Sequence, residues 1–129
     1  MYDINSRMEA IKNGESTPIM DKIVFKKIRA LLGGQMRLML CGGAPLSKEV
    51  HDFMRVCIGA PLLQGYGLTE VAACTTLNAV DEFVTEEVGP PNQGVQIKLV
   101  NWEEGNYRVT DQPNARGEVV IGGNNVADG

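Results

Sequence analysis

The spacing of apolar and polar residues predicts helices near the start of the chain. Ile4, Met8 and Ile11 recur at a spacing that allows a short helix in an N-terminal segment that a chain end can leave loose. A second helix is predicted over residues 19–32, where apolar residues follow one another every three or four positions: Met20, Val24, Ile28 and Leu31. The glycine pair at 33 and 34 then ends this helix.

The next stretch has the pattern of a βαβ unit. Residues 36–41 are short and nearly all apolar, which is typical of a parallel strand covered on both faces. Ser47 can cap a helix that ends near Gly59, and its predicted inward residues are Val50, Phe53, Met54 and Cys57. Residues 61–64 are predicted as the second strand, and such a crossover makes the two strands parallel.

After residue 70 the pattern changes to extended segments and turns. Residues 75–77 are predicted to be extended, and 80–91 to form a loop. Apolar and polar residues alternate from 95 to 99, as in a half-buried strand. A turn at 103–106 and a strand at 118–121 follow.

These elements predict an α/β fold class: a parallel βαβ portion of a doubly wound sheet followed by an antiparallel β subdomain. The predicted division is a leader or loosely ordered segment over 1–18, an α/β portion over 19–79 and a β-rich portion over 80–129. Both portions are expected to belong to one larger domain.

Composition narrows the class of protein. With 129 residues the chain is about one domain. A net charge of −4 argues against a nucleic-acid partner. Cys41, Cys57 and Cys74 form no C-x-x-C pair, which favours reduced thiols in an intracellular protein. No apolar run reaches the roughly 20 residues of a membrane span, so any anchor of a longer parent is expected outside this chain.

The stretch from Gln64 to Glu70 carries the candidate chemistry. Its glycines, Gly65 and Gly67, suit a backbone with positive φ or a ligand that approaches the main chain closely. Tyr66 offers a ring for stacking, and the hydroxyl of Thr69 and backbone N–H groups suit an anionic oxygen. A carboxylate beside phosphates needs a bridging cation, so Glu70 predicts a Mg²⁺ ion.

Two glycine turns, 42–45 and 65–70, are predicted to meet at the carboxyl edge of the parallel sheet, where ligands bind in open α/β folds. For the first turn, a plain strand-to-helix connection with a serine cap is the alternative. For the second, a Rossmann dinucleotide motif ranks well behind, because Glu70 stands where its third glycine belongs. The single histidine, His51, is predicted to be solvent-exposed on the polar side of its helix, with no triad.

The segment 64–70, Gln-Gly-Tyr-Gly-Leu-Thr-Glu, resembles the YGxTE signature of the adenylate-forming enzymes, the superfamily of acyl-CoA synthetases, luciferases and peptide-synthetase adenylation domains. Three further segments resemble the flanking signatures of that superfamily in the right order: 42–47, 88–91 and 117–123. Residues 18–46 and 101–105 further resemble eukaryotic long-chain fatty acyl-CoA synthetases.

This resemblance implies roles for individual residues. Tyr66 would stack on adenine, Thr69 would contact the α-phosphate and Glu70 would bind Mg²⁺, which makes Thr69 and Glu70 the implied catalytic residues. Gly43 and Ala44 would border the adenine and the acyl carboxylate. The implied nucleotide-binding positions are Gly43, Ala44, Gln64, Gly65, Tyr66, Gly67 and Thr69.

The resemblance also implies an activity, the activation of a fatty acid with ATP and Mg²⁺ to an acyl-adenylate, followed by formation of acyl-CoA at a CoA site outside this chain. The chain lacks the family's Lys-containing triphosphate loop and its C-terminal catalytic Lys, so we expect an internal piece that is inactive alone. The parent is expected on endoplasmic reticulum, mitochondrial or peroxisomal membranes. The alternatives are a non-catalytic truncated product that binds nucleotide weakly, and a ligase for a different acid.

Overall fold

The computed structural model describes residues 4–15 and 25–127, which fall into two compact units. The first unit contains the described chain up to Gly65 together with Asn78–Gly89. The second contains Tyr66–Leu77 and the described chain from Pro90 onward. Strand β2, Leu62–Tyr66, runs across the boundary between them. No helix among the described residues has the length and apolar character that crossing a membrane requires.

Among the described residues of the first unit, the core lies between the helices α1 (Ile4–Lys12), α2 (Lys26–Leu31) and α3 (Lys48–Ile58). Helix α3 packs against both α1 and α2. The apolar residues between the helices are Met8, Phe25, Val56 and Cys57, with Ile11 and Ile28 packed against them. The predicted N-terminal helix is therefore confirmed.

The predicted helix over 19–32 is described from Lys26 onward, and Met20 and Val24 lie outside the described residues. Its end is confirmed, because Gly33 and Gly34 adopt φ values of +82° and +72°, which glycine adopts without steric cost. The amide of Gly34 donates to the carbonyl of Arg29 at 2.8 Å and closes the last turn. Leu31 is 85% exposed and takes no part in the core.

Helix α3 begins and ends where the sequence predicts. The Ser47 hydroxyl accepts a bond from the Val50 amide at 3.4 Å, and Gly59 ends the helix with φ +68°. Its predicted inward face is wrong except for Cys57: Phe53 and Val50 are about half exposed, and Met54 is half-buried. The buried residues are His51, Arg55, Val56, Cys57 and Ile58. Polar side chains turn inward because the carbonyl of Leu62 offers them an acceptor.

Strand β1 (Met39–Cys41) pairs with β2 in parallel, with Met39 beside Leu62 and Cys41 beside Gln64. The predicted parallel βαβ arrangement of β1, α3 and β2 is confirmed. The expectation that both faces of the first strand are covered is wrong for this chain, because Leu40 is 66% exposed. In parallel sheets both faces are normally covered by helices. In β1, by contrast, the side chain of Leu40 is open to solvent.

The second unit is an antiparallel β structure, as predicted. Strand β3 (Thr76–Leu77) lies in the stretch expected to be extended. Strands β4 (Val95–Val100) and β5 (Glu118–Gly123) pair antiparallel, with Ile97 opposite Ile121. Alternate residues of β4 are half-buried and exposed over most of its length, which confirms the strand inferred from the period of two. The expected turn at 103–106 is also present, and an isolated antiparallel bridge between Trp102 and Tyr107 closes it.

Candidate functional site

The first part of the candidate segment lies within strand β2. Gln64 is buried, and Asn78 of the same unit forms hydrogen bonds with both its amide and its carbonyl. The Gln64 amide donates to the Asn78 side-chain oxygen at 3.0 Å, and the Asn78 amide donates to the Gln64 carbonyl at 3.1 Å. The position of this strand is therefore fixed by both backbone groups of Gln64. Asn78 was not singled out from the sequence.

Tyr66 is anchored in the second unit by the start of β3. The Thr75 amide donates to the Tyr66 carbonyl at 2.8 Å, and the Tyr66 amide donates to the Thr76 hydroxyl at 3.3 Å. The residue itself is half-buried. Both backbone groups of Tyr66 are thus held, while part of the residue stays open to solvent.

Neither glycine of the segment needs a positive φ, so that part of the prediction is wrong. Gly65 is extended within β2, and Gly67 does not adopt a left-handed φ. At Gly67 the reason for glycine is close packing: a Cβ there would overlap the carbonyl oxygen of Ala73 and lie 2.5 Å from its carbon. The backbone of the segment folds back on itself at this point.

Thr69 and Glu70 lie in a 3₁₀ turn, Thr69–Val71, and both are exposed. The turn is fastened by buried Val71, whose carbonyl accepts a bond from the Asn125 side chain at 2.9 Å. The Glu70 carbonyl accepts a bond from the Ala127 amide at 2.7 Å. The two predicted catalytic side chains are therefore carried on a fixed backbone and open to solvent.

Two consecutive alanines after this turn were missed from the sequence. Ala72 and Ala73 adopt φ values of +54° and +72°, a conformation that costs a residue with a Cβ on the order of 1–2 kcal/mol. The Ala73 amide donates to the Leu68 carbonyl at 3.0 Å, which closes the loop around the turn. Backbone strain of this kind clusters at ligand sites, but alanine itself gives no sequence signal for it.

The other glycine turn follows β1 in the first unit. Gly43 has φ +83°, and Gly43 and Ala44 are exposed. A Cβ on Gly42 would come within 3.2 Å of the Gly65 carbonyl oxygen. Gly42 therefore suits the close approach of the ends of two neighbouring parallel strands. The meeting of the two complete turns at one mouth stays a prediction.

His51 was predicted to be exposed, and this is wrong. The side chain is fully buried, and its Nε2 donates to the Leu62 carbonyl at 2.7 Å. Arg55, one helical turn later, donates to the same oxygen through Nη2 at 2.9 Å and through Nε at 3.3 Å. Burial lowers the pKa of the Arg55 guanidinium, and nearby Asp52 raises it in part. The i, i+4 spacing of the two residues is the signal that could have found them.

The Glu70 carboxylate has the chemistry of a ligand for a Mg²⁺ ion whose other ligands come from bound phosphates and water. Its carboxylate makes no hydrogen bond or ion pair with another described residue. Within residues 4–15 and 25–127 no group of three or more His, Cys, Asp or Glu side chains could enclose a metal. A single exposed carboxylate is what Mg²⁺ uses when substrate phosphates and water supply the remaining ligands.

The class of protein follows from comparison with solved structures. The chain is similar to the A domain of carboxylic acid reductase from Segniliparus rugosus in complex with AMP and a co-purified carboxylic acid. The TM-score is 0.65 and the sequence identity 26%, over 98% of this chain and 19% of that one. The fold is therefore that of part of an adenylation domain.

The sequence comparisons make the assignment more specific. Residues 8–129 match the family model of the AMP-binding enzymes, and the chain belongs to this family. It is 53% identical over 109 residues to long chain acyl-CoA synthetase 8 of Arabidopsis thaliana, covering 84% of this chain and 15% of that protein. It is 42% identical over 120 residues to long chain acyl-CoA synthetase 6, peroxisomal, of the same plant, covering 92% of this chain and 17% of that protein. The chain thus spans less than a fifth of the length of these relatives.

Proposed function

We propose that this chain is the nucleotide-contacting segment of a long-chain fatty acid–CoA ligase. The parent enzyme would activate a fatty acid with ATP and Mg²⁺ and then transfer the acyl group to CoA, whose site lies outside this chain. The observation that carries the proposal is the segment 64–70: its backbone is held by hydrogen bonds at Gln64, Tyr66 and Glu70, while Thr69 and Glu70 stay exposed. By likeness to peroxisomal relatives, we propose an intracellular parent on peroxisomal, endoplasmic reticulum or mitochondrial membranes.

In the proposed first step, a fatty acid carboxylate oxygen attacks the α-phosphorus of ATP. The bond between that phosphorus and the bridging oxygen of pyrophosphate breaks, and pyrophosphate leaves with its electron pair. Tyr66 stacks on the adenine, and the Thr69 hydroxyl donates a hydrogen bond to an α-phosphate oxygen. Bound Mg²⁺ would offset the negative charge of the phosphates and would be held by Glu70.

The remaining site residues have supporting roles in this proposal. Gly65 and Gly67 carry no side chain between the nucleotide and the main chain, and Gln64 fixes the strand that contains Gly65. Gly43 and Ala44 border the adenine and the acyl carboxylate. In the second step, the CoA thiol gives up its proton to solvent and its sulfur attacks the acyl carbon. The bond from that carbon to the oxygen shared with the phosphate breaks, and AMP leaves with this oxygen and the electron pair.

The proposal is tested by grafting. This chain replaces its matching segment in Arabidopsis long chain acyl-CoA synthetase 8, and palmitate-dependent pyrophosphate release is measured. We expect an active graft in which Tyr66→Ala raises the KM for ATP about tenfold or more, because stacking of a base on an aromatic ring contributes about 1–3 kcal/mol.

Tyr107→Ala is the matched control for that variant. Its ring contacts Trp102 at a centroid distance of 5.6 Å within the β4–β5 region, so its loss is expected to leave the KM for ATP unchanged. A graft without pyrophosphate release, or one in which both tyrosine variants behave alike, contradicts the proposal. An active graft that prefers short or aryl acids would instead favour a ligase for a different acid.

The isolated 129-residue chain is expected to form no acyl-CoA, since it would contribute adenine, α-phosphate and metal contacts only. Incubation with radiolabelled palmitate, ATP, Mg²⁺ and CoA, followed by thioester extraction, measures this directly. The active graft is the positive control. Thioester formed by the isolated chain above the level of its Glu70→Gln variant would refute the expectation.

A further inference from the structure

Three side-chain N–H donors converge on one backbone oxygen in the first unit. His51 Nε2 lies 2.7 Å from the Leu62 carbonyl oxygen, and Arg55 Nη2 and Nε lie 2.9 Å and 3.3 Å from it. A carbonyl oxygen has two lone pairs, so this acceptor is fully used. Leu62 is the first residue of β2, the strand that ends at Tyr66.

Arg55 also holds the loop that follows β3. Its Nη2 lies 3.4 Å from the carbonyl oxygens of both Glu82 and Val84. Its guanidinium carbon lies 5.7 Å from the centre of the Phe83 ring. The same loop begins with Asn78, which forms hydrogen bonds with the backbone amide and carbonyl of Gln64. One buried side chain thus links helix α3, the start of β2 and the 82–84 segment.

The arrangement is costly if its purpose is stability alone. His51 is fully buried, Arg55 is 4% exposed, and Arg55 forms no ion pair with a described residue. Burying a cation without a directly bonded counter-ion costs free energy, which the charge of nearby Asp52 offsets only in part, and apolar residues of similar volume often stabilise a protein as well or better. Hydrogen bonds hold their acceptor at a defined distance and angle, which apolar packing does not do.

We propose that His51 and Arg55 are positioning residues that fix β2, whose last three residues, 64–66, begin the nucleotide segment. This rests on the function proposed above. Both side chains act through the Leu62 carbonyl, which lies at the opposite end of the five-residue strand from Tyr66. Loss of their bonds would let β2 shift, which would weaken the ground-state binding of ATP more than the chemical step.

The test separates KM from kcat in the grafted ligase. Arg55→Met keeps an unbranched chain that can occupy most of the stem's space and removes the donors, and His51→Phe keeps a ring of similar size. Each is expected to raise the KM for ATP about tenfold with kcat changed less than threefold. Arg55→Lys keeps one donor group and is expected to recover part of the loss. Arg37→Met, which replaces an exposed arginine beside β1, is the matched control and is expected to leave KM unchanged.

A purely structural role predicts a different result. The variants would then lower the melting temperature and the yield of active enzyme, while the surviving enzyme would bind ATP with unchanged KM. That outcome overturns the proposal. Where Arg55→Met does not yield folded enzyme, Arg55→Lys carries the same comparison.

A second measurement keeps this inference distinct from the proposed function. Amide hydrogen exchange is followed in the 129-residue chain, where we expect Arg55→Met to reduce the protection of the Gln64 and Tyr66 amides at least tenfold. The amides of β4 are expected to keep their protection. If the graft is inactive but this selective loss occurs, the proposed function fails and the positioning of β2 stands. Unchanged protection at Gln64 and Tyr66 refutes the positioning role, whether or not the graft is active.

Discussion

Glu70→Gln is expected to lower the kcat of the grafted ligase about 100-fold. The substitution keeps the size and polarity of the side chain but removes the negative charge proposed to hold Mg²⁺. Charge stabilisation by a catalytic metal contributes several kcal/mol, and about 3 kcal/mol corresponds to this change in rate. Initial rates of pyrophosphate release, measured across a Mg²⁺ titration, give both the loss in kcat and the rise in the Mg²⁺ concentration required.

Glu87→Gln is the matched control, because Glu87 is also an exposed acid. It removes the same charge from the chain and is expected to leave the Mg²⁺ dependence unchanged. The loss at Glu70 is expected without a change in melting temperature, since its carboxylate bonds no other described residue. A Glu70→Gln graft with full activity at low Mg²⁺ would remove this residue from the metal site.

Gly67→Ala is expected to destabilise the second unit by about 3 kcal/mol or more. The added Cβ would overlap the Ala73 carbonyl oxygen and lie 2.9 Å from the Cys74 nitrogen. These are backbone atoms, so no side-chain rotation relieves the overlap. Amide exchange at Thr75, whose amide donates to the Tyr66 carbonyl, reports the loss directly, and thermal unfolding of the graft gives its size.

Gly122→Ala tests whether this effect belongs to the site. Gly122 lies in β5 of the same unit, and a Cβ there would meet no heavy atom within 4 Å. We expect a small change in stability at Gly122. Equal effects at the two glycines would mean that Gly67 is not specially constrained, and the close approach of Ala73 would then not explain why glycine stands there.

Much of the fold was predictable because local signals agreed with it. The spacing of Ile4, Met8 and Ile11 marked α1, the serine and glycine at 47 and 59 marked the ends of α3, and the alternation over 95–99 marked β4. Each signal depends on residues close together in sequence. The family was predictable for a similar reason, because the signature at 64–70 is contiguous.

What failed depends on contacts between distant parts of the chain. Val50 and Phe53 have helical spacing, but both are about half exposed. The inward face of α3 instead contains His51 and Arg55, because both donate to the Leu62 carbonyl. The exposure of Leu40 could not be predicted from the apolar run of β1. Such a run indicates that a strand is suited to burial, but it does not show which elements cover the strand.

The segment proposed to carry the site could be singled out from the sequence, but its local backbone geometry could not. The segment 64–70 was identified, but the glycine requirement at Gly67 comes from Ala73, six residues later. The left-handed pair at 72 and 73 had no sequence signal, since alanine favours other conformations. The roles of the individual site residues stay predictions until the graft is measured.

The left-handed alanines have a practical consequence for simplified versions of the site. Ala72 and Ala73 together require on the order of 2–4 kcal/mol of backbone free energy, which buried Val71 and the bond from Asn125 offset. A synthetic peptide that copies residues 62–77 lacks Asn125 and the strands beyond it. Such a peptide would relax in water into other conformers, so screening compounds against it would sample shapes that the folded protein does not present.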